Sequence, residues 1–149
     1  MGCTQNTDWS VSYLTSSNTE FSSARLFFPT KDWVNGIDVE FVQTSDGLHA
    51  YLQVHSHPIP PYLDNPKEAL VNLQTENNSC CGAAIRREGG QKILLSPILQ
   101  DFLLSSLKEG KSVTMELVGY ETVILADGFN EHLYEMQNRP FDYPFHLPF

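Results

Sequence analysis

Residues 96–129 constrain the fold more than any other part of this chain, because there a helical period gives way to a strand period within a few residues. Ser96-Pro97 reads as a helix start: the serine oxygen can accept an orphan backbone N–H, and proline has no N–H to lose in the first turn. Ile98, Leu99, Phe102, Leu103 and Leu107 recur at the three-and-four spacing of one helical face, and Leu104 widens it. Asp101, Ser105 and Lys108 project the other way, while Ser106 is a small polar residue inside the apolar stripe. Lys108 and Gly110 supply a stop, since glycine accepts the left-handed closing conformation and lysine suits the negative helix end. A helix is therefore predicted over 96–109. Beyond it Val113, Met115 and Leu117 alternate with polar neighbours, Gly119-Tyr120 is a turn, and residues 122–126 return as a second strand ended by Asp127-Gly128. Residues 129–136 fit a short closing helix with Asn130 as its cap and Leu133 and Met136 facing inward.

The rest of the chain alternates with the strand period and needs that helix as a cover. Trp9, Val11 and Tyr13 alternate with Ser10 and Ser12, residues 15–23 form a polar connector, and residues 24–28 make a short apolar run ended by Pro29. The plainest hairpin pairs Ile37, Val39 and Phe41 with Leu48, Ala50, Leu52 and Val54 across Ser45-Asp46-Gly47. The other face of its second strand carries His49, Tyr51, Gln53 and His55, and reaches His57 if the strand continues. Pro58, Pro60 and Pro61 predict a solvent-exposed extended crossing to about Asn65. Ala69, Val71 and Leu73 resume the alternation, residues 75–79 are a polar loop, and residues 83–86 and 92–95 form another hairpin across Glu88-Gly89-Gly90.

At 149 residues the chain holds one domain's worth of core. It divides into residues 1–22 (polar tether and first strand), 23–137 (a β-rich domain) and 138–149 (an aromatic and proline-rich tail). Nine basic against eighteen acidic side chains give a formal charge of −9, which disfavours nucleic acid and anionic lipid surfaces as partners because both are polyanions. No apolar run approaches the roughly 20 residues that a membrane-spanning helix needs. Met1-Gly2-Cys3 is the pattern of a mature bacterial lipoprotein start behind an added methionine, with Cys3 as the lipidated residue and residues 4–8 as its tether. The plainer alternative is that a glycine and a cysteine happen to be adjacent.

Three groups of residues carry candidate chemistry. His55 and His57 lie two apart, so a continued strand puts both imidazoles on one face, a start for zinc or a similar ion. His49 is roughly 20 Å away along such a strand, and a third ligand would come from Asp64, Glu68, His132 or His146; solvated histidines on an exposed strand are the alternative. Cys80-Cys81 reads as two small residues partly buried at a strand start, or as a thiol able to pair with Cys3 or another molecule. The tail holds Phe141, Tyr143, Phe145 and Phe149 among prolines, apolar surface that must dock on the domain's own sheet, on a partner, or into a neighbouring copy. Phosphate loops, nucleophile elbows and metalloprotease helices have no match in the sequence.

The run Phe102-Leu103-Leu104-Ser105-Ser106-Leu107-Lys108-Glu109-Gly110-Lys111-Ser112-Val113, followed by a strand pair and Gly128-Phe129, resembles the final third of the invasion-associated locus B type of periplasmic β-sandwich. The resemblance covers about a quarter of the chain. It implies a secreted or periplasmic, non-enzymatic envelope protein and transfers no catalytic residues. The fold expected is mainly β (α+β), an antiparallel sandwich or curled sheet of about seven or eight strands with the 96–109 helix over one end. The function expected is a non-enzymatic cell-envelope lipoprotein domain, in the periplasm or at the cell surface, that binds a protein or an envelope component. The alternative is a metal-binding protein or metal-dependent enzyme built on His55 and His57.

Overall fold

The structure, a computed structural model, describes residues 8–14 and 22–138. Among them nine strands form one antiparallel sheet and two helices lie against it. The strands are β1 (Ser10–Leu14), β2 (Ser23–Phe28), β3 (Asp38–Thr44), β4 (Gly47–Gln53), β5 (Glu68–Gln74), β6 (Ser79–Arg86), β7 (Lys92–Leu94), β8 (Val113–Leu117) and β9 (Tyr120–Ile124). The helices are α1 (Pro97–Lys108) and α2 (Phe129–Gln137). Strand order is β1-β2-β3-β4-β7-β6-β5-β8-β9. The mainly β fold with a covering helix is therefore present, as a curled sheet.

The curl brings the two ends of the strand order together. The Trp9 indole N–H, just before β1, donates to the Leu125 carbonyl just after β9 at 2.7 Å. Between them the Glu121 N–H donates to the Asn35 carbonyl at 3.0 Å, and the Ile37 N–H to Thr122 Oγ1 at 2.7 Å. Inward residues of nearly every strand meet in one core, and near one end Trp9, Phe28, Phe41 and Phe129 pack ring against ring at 4.9–6.2 Å between centroids. Such tilted and edge-on pairs add about 0.5–1.5 kcal/mol each beyond the area they bury.

Helix α1 starts and stops as its sequence predicts, with differences in detail. Ser96 makes no side-chain cap; its carbonyl instead accepts the Gln100 N–H. Leu99, Leu103, Ser106 and Leu107 are buried, but Ile98 is 74% exposed, because it falls outside the helical arc that those four residues share. Gly110, at φ 81°, closes the helix: its N–H donates to the Leu107 carbonyl and the Lys111 N–H to that of Ser106. Helix α2 is capped by left-handed Gly128 rather than by Asn130. The Asn130 side chain instead donates to the Lys108 carbonyl at 2.9 Å and ties the start of α2 to the end of α1. Leu133 and Met136 are buried as expected.

The predicted hairpin of β3 and β4 is present, with a register that runs from Asp38↔Gln53 to Thr44↔Gly47. The sequence missed the pairing of β5 with β6, which runs from Glu68↔Ile85 to Gln74↔Ser79. Gly82 is a poor strand former and Ser79-Cys80-Cys81 shows no apolar alternation, so the start of β6 is held by the partner strand rather than by its own pattern. The proline crossing is also less exposed than its composition suggests. Ile59 is buried and its N–H donates to the Gly90 carbonyl at 2.7 Å. Arg86 reaches from the end of β6 to the carbonyls of Ile59, at 2.6 Å, and Pro66, at 3.1 Å, satisfying acceptors on a segment that forms no ladder.

Candidate functional site

Strand β4 ends at Gln53, and this decides what the histidines can do. The Val54 N–H still finds a carbonyl, that of Gln91, but residues 55–57 bend away ahead of Pro58. The strand continuation expected through His57 therefore does not occur, and the two imidazoles do not share a strand face. His55 Nε2 lies 2.7 Å from Asp38 Oδ2, both side chains are mostly buried, and the carboxylate accepts the ring N–H. The other Asp38 oxygen accepts the Thr30 N–H at 2.7 Å. The His55 ring stacks on Trp33 at 3.7 Å with planes 10° apart. His57 is held by its backbone: its N–H donates to the Tyr120 hydroxyl, which donates to the His57 carbonyl at 2.6 Å.

Trp33 belongs to a turn built around Asp32. One Asp32 oxygen accepts the N–H groups of Val34 and Asn35, each at 3.1 Å. The Asn35 backbone N–H, with smaller contributions from Val34 and the Asn35 side chain, holds this carboxyl below the usual carboxylate range. Trp33 thus presents one ring face to His55 while remaining 66% exposed.

The second part of the site lies on the outward face of β5, β6, β8 and β9, and of its residues the sequence had singled out Cys81 but not the carboxylates. The register places Asn72 opposite Cys81 on one side and Glu116 on the other, and Glu116 opposite Glu121. Cys81, Asn72, Glu116 and Glu121 therefore form one row across four strands. An open groove of about 580 Å³ runs over it, lined by those four residues with Leu70 and Val118 among others. Beside it Ala83 lies opposite Leu70, and Ile85 follows on the same face of β6 with half its surface exposed. Tyr120 links the two parts: it borders the groove while its hydroxyl holds His57.

Asn72 Nδ2 donates to Glu116 Oε1 at 3.0 Å. Glu116 and Glu121 are the charged side chains lining the groove, and neither forms an ion pair among the described residues. Like charges directly opposite on neighbouring strands destabilise the pair. The free thiols differ in surroundings: Cys80 is half-buried against the core, and Cys81 is exposed in the row. Among the described residues no three of His, Cys, Asp and Glu are grouped as a metal would need. Cys3, His146 and the tail residues Phe141, Tyr143, Phe145 and Phe149 lie outside the described residues.

Fold and site define a class: among the described residues, a curled, nine-stranded antiparallel sheet with a helical cover on its inner face and an open groove on its outer one. Among solved structures, the crystal structure of invasion associated protein B from Bartonella henselae is similar in fold, with a TM-score of 0.55 over 88% of this chain and 91% of that one, at 14% sequence identity. No protein-family model matches the chain, and no curated protein matches it in sequence.

Proposed function

We propose that this protein is a non-enzymatic domain of the cell envelope that binds another protein or an envelope component through its outward sheet face. The observation that carries the binding role is the groove of about 580 Å³ with its exposed aliphatic border, a surface that helices cover on the sheet's other side. The envelope setting is supported by the likeness in fold to invasion associated protein B and by the Gly2-Cys3 start, which would place a lipid on Cys3. The test is to express the gene with its natural upstream sequence in its native host, then fractionate the cells and weigh the intact protein. Envelope fractions and a mass raised by acyl chains are expected; a cytoplasmic protein with an unmodified Cys3 removes the reading.

A second reading keeps His55 and His57 as zinc ligands. Its support is the Asp38 carboxylate on His55 Nε2, the kind of partner that orients ligating histidines, which leaves Nδ1 to face an ion. Calorimetric titration of the untagged protein with zinc chloride is expected to give a saturating heat that His57→Ala abolishes. A flat titration ends this reading.

A further inference from the structure

The geometry points to one class of occupant for the outward groove: an extended segment of a partner polypeptide that alternates aliphatic and basic side chains. The inference rests on the binding role proposed above and specifies the partner's chemistry. Its first support is shape. Outward residues two apart along each strand put the polar row of Cys81, Asn72, Glu116 and Glu121 beside apolar Ala83, Leu70 and Val118. An extended chain lying across the strands between them, its successive side chains turned to opposite sides, therefore meets a polar flank on one side and an apolar flank on the other. Leu70, Ala83, Ile85 and Val118 form the apolar side, with Val118 at 59% and Ile85 at 50% exposure.

Its second support is charge. Glu116 and Glu121 stand directly opposite one another, and among the described residues no lysine or arginine lines the groove. That juxtaposition is unfavourable in the unoccupied protein and is relieved by a cation placed between the two carboxylates. A guanidinium fits better than an ammonium, because its planar fork can meet two carboxylates at once. An acidic or anionic partner is repelled both locally and by the chain's formal charge of −9.

The experiment uses the full chain and a fluorescein-labelled octapeptide alternating arginine and valine, read by fluorescence anisotropy, with a glutamate–valine octapeptide beside it. The basic peptide is expected to bind and the acidic one to stay free. Replacing both carboxylates, E116Q together with E121Q, is expected to weaken binding about tenfold, the sum of two solvent-screened ionic contacts. Val118→Ser, which removes the exposed apolar surface without adding charge, is expected to weaken binding without changing the melting temperature. A control with the same charge change elsewhere, Asp101→Asn with Glu131→Gln on the helices, is expected to bind as the wild type does. Equal affinity of wild type and E116Q/E121Q, or equal loss in the helix control, overturns the inference and reduces the effect to overall acidity. A dimer in sedimentation that E116Q/E121Q turns into monomer also overturns it, because the groove then holds a second copy. These outcomes are separate from the fractionation test, which can fail while the peptide result stands.

Discussion

The two faces of the β5–β6–β8–β9 end of the sheet are made from the same strands and have opposite fates. Inward, Val71, Leu73, Ala84, Val113, Met115 and Leu117 are buried, with Leu103 and Leu107 of α1 in the same core. Outward, Leu70 is half-buried, Ile85 and, in the turn after β8, Val118 are exposed, and two carboxylates face each other. The difference teaches that burial here comes from the cover and not from the strands. Aliphatic residues occur on both faces, but only one has a helix to exclude water. A chain under pressure for stability alone would place polar residues in the outward positions.

The comparison breaks most visibly from the inside. Phe129→Ala removes a fully buried ring packed on Trp9 and Phe41, and a loss of about 3–5 kcal/mol is expected in urea titration. A smaller effect is expected at the turn that carries Trp33. His55→Ala leaves the mostly buried Asp38 carboxylate without its ring partner, for about 1–3 kcal/mol. Outside, the sign reverses. Glu121→Lys converts a like-charged cross-strand pair into an opposite one, so thermal melting should show a gain of about 0.2–1 kcal/mol together with loss of the arginine–valine peptide. An outward substitution that destabilises like an inward one would show the two faces to be equally committed to the core.

The smallest effect concerns Asp32. Its carboxyl is held below the usual range by the Asn35 N–H, so the folded state binds this proton more weakly than the unfolded chain. Its contribution is therefore complete above the unfolded carboxylate's titration and is lost as pH falls through the lower, folded value. The difference in melting temperature between wild type and Asp32→Asn should be constant near neutrality and shrink only in acid below the carboxylate range. A difference that vanishes already near neutral pH would show that the effect does not come from this carboxyl.

Much of the architecture was legible because period and turn chemistry agree with burial. The β3–β4 hairpin and helix α1 follow from alternation, from Ser45-Asp46-Gly47 and from the spacing of Leu99, Leu103 and Leu107. The failures share a cause, which is that strand pairing and tertiary contact, not the local pattern, decide these conformations. Strand β6 begins with Ser79-Cys80-Cys81-Gly82, whose conformation is dictated by β5. Ile59 is buried because Gly90 and Arg86 receive the proline segment. The site divided in the same way. His55 could be picked out by residue type, but its engagement with Asp38, 17 residues earlier, and with Trp33 could not. Glu116 and Glu121 look like ordinary solvated residues until the register sets them face to face.

The hydrogen bond from Trp9 to Leu125 joins positions 116 apart in the chain. Closing so large a loop spends entropy before any contact at the seam repays it, so the join belongs to the last stage of folding. During synthesis β1 can pair with β2 early, but Trp9 meets the Leu125 carbonyl only after β9 has emerged. Refolding on the slow side for a domain of this size, in milliseconds to seconds, follows from that late closure.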